Sequence, residues 1–172
     1  MAKGNRKAQQ ELFDMFAPKM MSVCRQYLKR NDLAEEVMLN GFFKVFTKID
    51  MYSGQGSFEG WIRRIMINES LTALRKENKL QYAAEDELEN TLEYSDSFDS
   101  ELTIEEIQKL IDSLPDGYKT VFVLYVVEGY KHSEIAELLQ ISEGTSKSQL
   151  SKARVMLQQM INKQNELNYG TQ

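Results

Sequence analysis

"HSEIAELLQISEGTSKSQLSKAR", His132 to Arg154, decides the fold. Ile135, Leu138 and Leu139 recur at helical spacing, and Ser133 stands where a helix N-cap would. Ala136 is small at the point where two crossing helices approach most closely. Ile141 can plug the turn that follows. Ser142 is placed to cap a second helix, with Glu143 and Gly144 in its first turn. On that second helix Leu150, Ala153 and Leu157 follow an inward stripe, which puts Lys147, Ser148, Ser151 and Lys152 on the opposite face. Short hydroxyls can reach base edges, and lysines can reach phosphates or guanine. The pattern predicts a helix-turn-helix with a recognition helix. An ordinary helical hairpin with a solvated face shows the same pattern, so both readings stand at this point. Two positions depart from the usual motif. Gln140 occupies a turn position where Gly is common, and Ser146 a position that is usually apolar.

Working outward, "SLPDGYKTVFVLYVVEGY" (Ser113–Tyr130) predicts a Pro-Asp-Gly turn and then an apolar helix from Tyr118 to Val127, buried on most sides, as a floor for the motif. "LTIEEIQKLIDSL" predicts an amphipathic helix over Leu102–Leu114. Prolines occur only at Pro18 and Pro115, and alternating strand-like runs are scarce. The fold class expected is all-α.

Charge divides the chain. From Leu80 to Gln108 there are ten acidic residues and no Lys or Arg, which leaves 16 acids against 21 bases elsewhere. A self-repelling, Ser-containing stretch reads as an acidic flexible linker, placed here at residues 80–103. It separates an N-terminal helical domain, 5–79, from a C-terminal one, 104–165. The net charge of −5 therefore does not argue against a nucleic-acid partner. No apolar run is long enough to cross a bilayer, and "MAKGNRKAQQ" has no apolar core behind its charges. The expected place is the cytoplasm. One His and one Cys, His132 and Cys24, make no metal cluster, and Cys24 sits in an apolar helical pattern as a buried, unreactive thiol. No cofactor is implied. No nucleophile has a base partner, so an enzyme is not expected.

The N-terminal domain reads as three or four helices. In "QQELFDMFAPKMMSVCRQYLKR", Pro18 predicts a break or a helix start. In "DLAEEVMLNGFFKVFTKI", Asp32 is the expected N-cap and Ala34, Met38, Phe42, Val45 and Ile49 form a core stripe. Glu36, Leu39, Asn40 and Phe43 form a second stripe. Either it meets a partner or a neighbouring helix covers it. "MYSGQGSFEGWIRRIMINESLTALRKENK" predicts a Gly loop, then a helix with Trp61, Ile65 and Leu74 among its apolar residues. Arg63, Arg64, Arg75, Lys76 and Lys79 are basic. Aromatics beside arginines suit unpaired bases, while Trp61 is equally well placed for the core.

Taken together, "DLAEEVMLNGFFKVFTKI", "GSFEGWIRRIMINESLTALRKENK" and "LPDGYKTVFVLYVVEGYKHSEIAELLQISEGTSKSQLSKAR" resemble, in this order, three segments of the extracytoplasmic-function sigma factors. These are small two-domain initiation factors of bacterial RNA polymerase. The wording Gly144 to Leu150 is similar to the Bacteroidetes type. The resemblance implies core RNA polymerase and promoter DNA as partners, and leaves room for an anti-sigma factor. It implies polymerase contacts at Asp32, Glu35, Glu36, Asn40 and Phe43. It implies opening of the −10 element and capture of a flipped base by Ser57, Phe58, Trp61, Arg64 and Asn68. It implies −35 reading by Lys147, Ser148, Ser151 and Lys152, with Arg154 on a phosphate. The family often has a base where Gln149 stands, and Ser151 is small where others present a larger group; both differences bear on which sequence is read. Two other classes compete: a helix-turn-helix regulator that works without polymerase, and a helical adaptor that binds protein only.

Overall fold

A computed structural model describes residues 5–77 and 103–169, with side chains to residue 165. The described residues contain seven α-helices and no strand, and fall in two compact units. Most of the acidic stretch, residues 80–102, and Lys79 lie outside the described residues.

The first unit is a three-helix assembly of α1 (Arg6–Tyr27), α2 (Asn31–Lys48) and α3 (Phe58–Lys76), each packed on the other two. Asn5 caps α1 by accepting the Ala8 N–H at 3.2 Å. The expected break at Pro18 does not occur: Pro18 lies inside a continuous helix. A proline ring removes one backbone donor from the ladder. Packing on both sides outweighs that loss. Phe13 meets Phe42 at 4.8 Å and Phe16 meets Phe58 at 6.0 Å before it, and Met20, Val23 and Cys24 are buried after it. Cys24 is fully buried, which pushes its thiol up to about 11.

Helix α2 begins two residues earlier than expected, with Arg30 as N-cap and Asp32 within the first turn. The Asp32 carboxylate accepts from the Arg30 guanidinium, at 3.2 Å from Nε, instead of capping the backbone. That partner holds the Asp32 carboxyl below its usual range. Ala34, Met38, Phe42 and Val45 are buried and Ile49 is half-buried, as the core stripe predicts, and Val37 is buried with them. Helix α3 contributes Ile62, Met66, Ile67, Leu71 and Leu74 to the same core. Ile65 is half-buried beside them.

The second unit starts with α4 (Ile104–Ser113), whose Thr103 and Glu106 form a reciprocal capping box. Helix α5 (Asp116–Phe122) runs directly into a π-helical turn over Val123–Val127. The expected buried helix from Tyr118 to Val127 is correct only for its first part. Thr120, Val121, Val123 and Leu124 are buried, while Val126 and Val127 are exposed. The π turn bonds Glu128 N–H to the Val123 carbonyl, five residues back, and this wider turn carries the last two valines off the core-facing stripe. Lys119, only 1% exposed, reaches Asp112 Oδ1 at 2.7 Å and ties α5 to α4. A buried ammonium needs such a partner.

The helix-turn-helix is formed by α6 (His132–Leu139) and α7 (Glu143–Tyr169). Ser133 is not the N-cap of α6. The cap is Lys131, whose backbone N–H donates to the Glu134 carboxylate at 2.8 Å, so the helix begins earlier. Gln140 adopts the left-handed conformation, φ 57° and ψ 45°. That explains why Gly is common at this turn position. The turn closes through the Ile141 N–H to the Ala136 carbonyl at 3.0 Å. Ser142 caps α7 as expected, accepting the Thr145 N–H at 2.9 Å.

Candidate nucleic-acid interface

Helix α7 is anchored by one face. Ser146, Gln149, Leu150 and Ala153 are buried against α5 and α6, and Leu157 is half-buried. At about 100° per residue, this leaves Lys147, Ser148, Ser151 and Lys152 on the outward side. Lys147 and Arg154 are exposed, and Ser148, Ser151 and Lys152 are half-buried. The surface therefore carries three cations and two hydroxyls. Glu143 lies 3.9 Å from Lys147 at an exposed i,i+4 spacing, a weak pairing. The Arg154 guanidinium stands over the Tyr125 ring at 6.0 Å, which orients it.

Gln149 does not belong to this surface. It is completely buried, and neither polar atom of its amide has a hydrogen-bond partner among the described residues. Its 100° steps from Ser146 and Ala153 place it on the inner stripe, so its amide is not a readout group. The departure at Ser146 has a physical explanation. Ser146 is buried, and its hydroxyl shares a hydrogen bond of 2.9 Å with His132 Nδ1. The imidazole stacks on Tyr125, with centroids 4.5 Å apart. A polar clasp thus joins the starts of α6 and α7 where an apolar contact is usual. Tyr125 and His132 escape sequence reading because neither stands on the recognition stripe.

In the first unit, Ser57 is the N-cap of α3 and accepts the Gly60 N–H at 3.0 Å. Phe58 and Trp61 stack at 5.7 Å with 22° between rings, and Tyr52 packs on both, at 5.1 and 5.6 Å. Trp61 is half-buried: it serves this cluster and still offers an edge to solvent. Arg64 and Asn68 are exposed and follow Trp61 at three- and four-residue steps, so all three share one face. Tyr52 is the member of the cluster that sequence reading missed. Its signal was an aromatic residue flanking the Gly loop.

On α2, Asp32, Glu35, Glu36, Asn40 and Phe43 are all exposed. Phe43 is 69% exposed and Leu39 50%. No neighbouring helix among the described residues covers this stripe.

The chain matches the family description "Sigma-70 region 2" over residues 12–80 and "Sigma-70, region 4" over 104–157. It is 27% identical to the "ECF RNA polymerase sigma-E factor" of Haemophilus influenzae over 170 residues, covering 92% of this chain and 89% of that one. It is 28% identical to the "ECF RNA polymerase sigma factor SigW" of Bacillus subtilis over 172 residues, covering 92% and 91%. In fold it is similar to the sigma factor RpoE of Bartonella quintana, solved in complex with the anti-sigma factor NepR. The TM-score is 0.57 at 20% identity, over 91% of this chain and 98% of that one.

The clasp between α6 and α7 makes a pH prediction. Burial lowers the His132 pKa below its ordinary 6.5, and the Lys147 ammonium acts in the same direction, with Arg154 adding to it and Glu143 opposing. A depressed imidazole binds its proton less readily folded than unfolded. The stability it contributes is full above pH 6.5 and is lost as the pH falls through the folded value. The melting temperature of the second unit, followed in the whole chain, should fall as the pH is lowered from about 7.5 to about 5.5. His132→Gln, which keeps a partner for Ser146 and does not titrate, should flatten that drop. Equal slopes in the two proteins would remove His132 as the titrating group.

Proposed function

The chain belongs to the extracytoplasmic-function class of sigma-70 factors, and we propose that its two units divide promoter recognition between them. It binds core RNA polymerase and directs sequence-specific transcription initiation. It acts in the cytoplasm and supplies no chemistry of its own; the polymerase forms the phosphodiester bonds. Residues 5–79 bind polymerase and open the −10 element. Residues 104–165 read the −35 element, and residues 80–103 connect them as an acidic tether. An anti-sigma factor is a further partner in keeping with the family.

One observation carries this division. The same chain exposes an apolar-acidic stripe on α2 and a cationic-hydroxyl stripe on α7. The first suits a protein and the second suits duplex DNA. A regulator working without polymerase leaves the exposed Leu39 and Phe43 unexplained, and a protein-only adaptor leaves the α7 face unexplained. In this reading Asp32, Glu35, Glu36, Asn40 and Phe43 meet the polymerase. Ser57, Phe58, Trp61, Arg64 and Asn68 hold the opened −10 strand, with a base stacked on the aromatic edge while Arg64 meets the backbone. Lys147, Ser148, Ser151 and Lys152 enter the −35 major groove, and Arg154 meets a phosphate. Each unit alone binds weakly, and mounting both on the polymerase raises the effective concentration of each contact.

Two experiments test the assignment. Phe43→Ser should weaken core-polymerase binding by about 1–3 kcal/mol, as expected for an aromatic anchor, and leave the melting temperature unchanged. Unchanged affinity would remove Phe43 from the contact. On α7, Lys152→Ala should lower affinity for many sequences and reduce the salt slope by about one. Ser148→Ala or Lys147→Ala should cost about 1–3 kcal/mol on the cognate −35 element and much less on scrambled DNA. Binding across a randomised −35 library separates the two patterns, and wild-type preference in all three variants would overturn the readout.

A further inference from the structure

We infer that Tyr52, which lies outside the set Ser57, Phe58, Trp61, Arg64 and Asn68, is the positioning residue of the loop that captures the −10 base; this rests on the reading of Ser57 to Asn68 as the −10 surface. Helix α2 ends in a 3₁₀ turn, Ile49–Met51, and the chain then crosses to Ser57, the cap of α3. Gly54 and Gly56 take φ values of +77° and +78°, and a Cβ added at either would meet no atom within 4 Å. The glycines are there for backbone conformation, because no packing demands a small residue. At these two positions the conformation of the loop is held by contacts elsewhere along it, not by packing of the glycines themselves.

Tyr52 supplies one. Its hydroxyl donates to the Gly56 carbonyl at 2.7 Å, across the loop and one residue before Ser57. Its ring packs on Phe58 and Trp61, at 5.1 and 5.6 Å. One side chain therefore joins the loop backbone to the aromatic pair on which a base would stack. The same loop walls a cavity of about 720 Å³ lined by Leu12, Ile49, Tyr52, Ser53, Gly54 and Phe58. Releasing the Gly56 carbonyl would let this wall and the Ser57 cap move relative to the rings. A base captured there loses a preformed site and must order it on binding.

Tyr52→Phe removes the hydroxyl and keeps the ring. The assay is the affinity of holoenzyme, assembled from the full chain and core polymerase, for its promoter. It is read on intact DNA and on DNA with an abasic site at each −10 position in turn. The wild-type chain should lose affinity at one abasic position, the captured base. Tyr52→Phe should bind intact promoter about three- to tenfold more weakly, the factor a single hydrogen bond commands, and bind that abasic promoter as the wild type does. Core affinity and melting temperature should not change. Gly56→Ala, strained at φ +78°, displaces the same carbonyl with Tyr52 intact and should give the same signature. Equal loss on intact and abasic DNA, or no loss, overturns the role of Tyr52 while the −10 surface stands. If no abasic position affects the wild type, base capture at this surface falls, and the inference with it.

Discussion

Each outward face, on α2 and on α7, exists because the opposite face of the same helix is buried. In α7 the constraint is plain: Ser146, Gln149, Leu150 and Ala153 are held inside, and the 100° step then leaves no freedom in which residues face out. In α2, burial of Ala34, Val37, Met38, Phe42 and Val45 turns Glu36, Leu39, Asn40 and Phe43 outward in the same way. Packing sets the register, and the register selects which residues face out. Since the core contacts are numerous and the surface contacts few, an outward residue can be exchanged without threatening the fold.

The chemistry of the two faces differs as their ligands do. A duplex offers phosphates at regular spacing and base edges in a groove, which suits cations on long stems flanking short hydroxyls. A protein partner rewards desolvating an aromatic ring inside a polar rim, which suits Phe43 and Leu39 with acids around them. The third surface, at the start of α3, is of another kind. There the aromatic residues are half-buried in a cluster and the Gly loop beside them is tethered by one hydroxyl. A single unpaired base needs a preformed stacking site more than it needs charge.

The all-α class and the helix-turn-helix were legible because helical periodicity and a Ser142 cap are local signals, readable without tertiary information. The core stripe of α2 and the burial of Cys24 followed from the same periodicity. What was not legible depended on partners distant in sequence. Pro18 suggested a break, but aromatic contacts to α2 and α3 carry α1 through it. Asp32 and Ser133 have the right chemistry for caps, yet the Arg30 guanidinium takes the Asp32 carboxylate, and Glu134 accepts the Lys131 N–H and so starts α6 ahead of Ser133. The exposure of Val126 and Val127 arises from a π turn that no periodicity signals. The amide of Gln149, where the family often has a base, was expected to bear on which sequence is read, but the side chain is buried. The acids between Leu80 and Leu102 identify a composition and no conformation. The outward faces of α2 and α7 were read from helical spacing, and the roles proposed for their residues come from the resemblance to a family pattern. The structure adds which of them are exposed and which are held by a cap, a ring or a second charge.

The central claim is that the α2 and α7 faces act together through polymerase. The measurement that addresses it most directly is run-off transcription of genomic fragments by core RNA polymerase, with and without the full chain. Discrete transcripts should appear only when the chain is present, from start sites sharing two upstream elements at constant spacing. Retardation of those same fragments by the chain alone, with no chain-dependent transcript from core polymerase, would contradict the account.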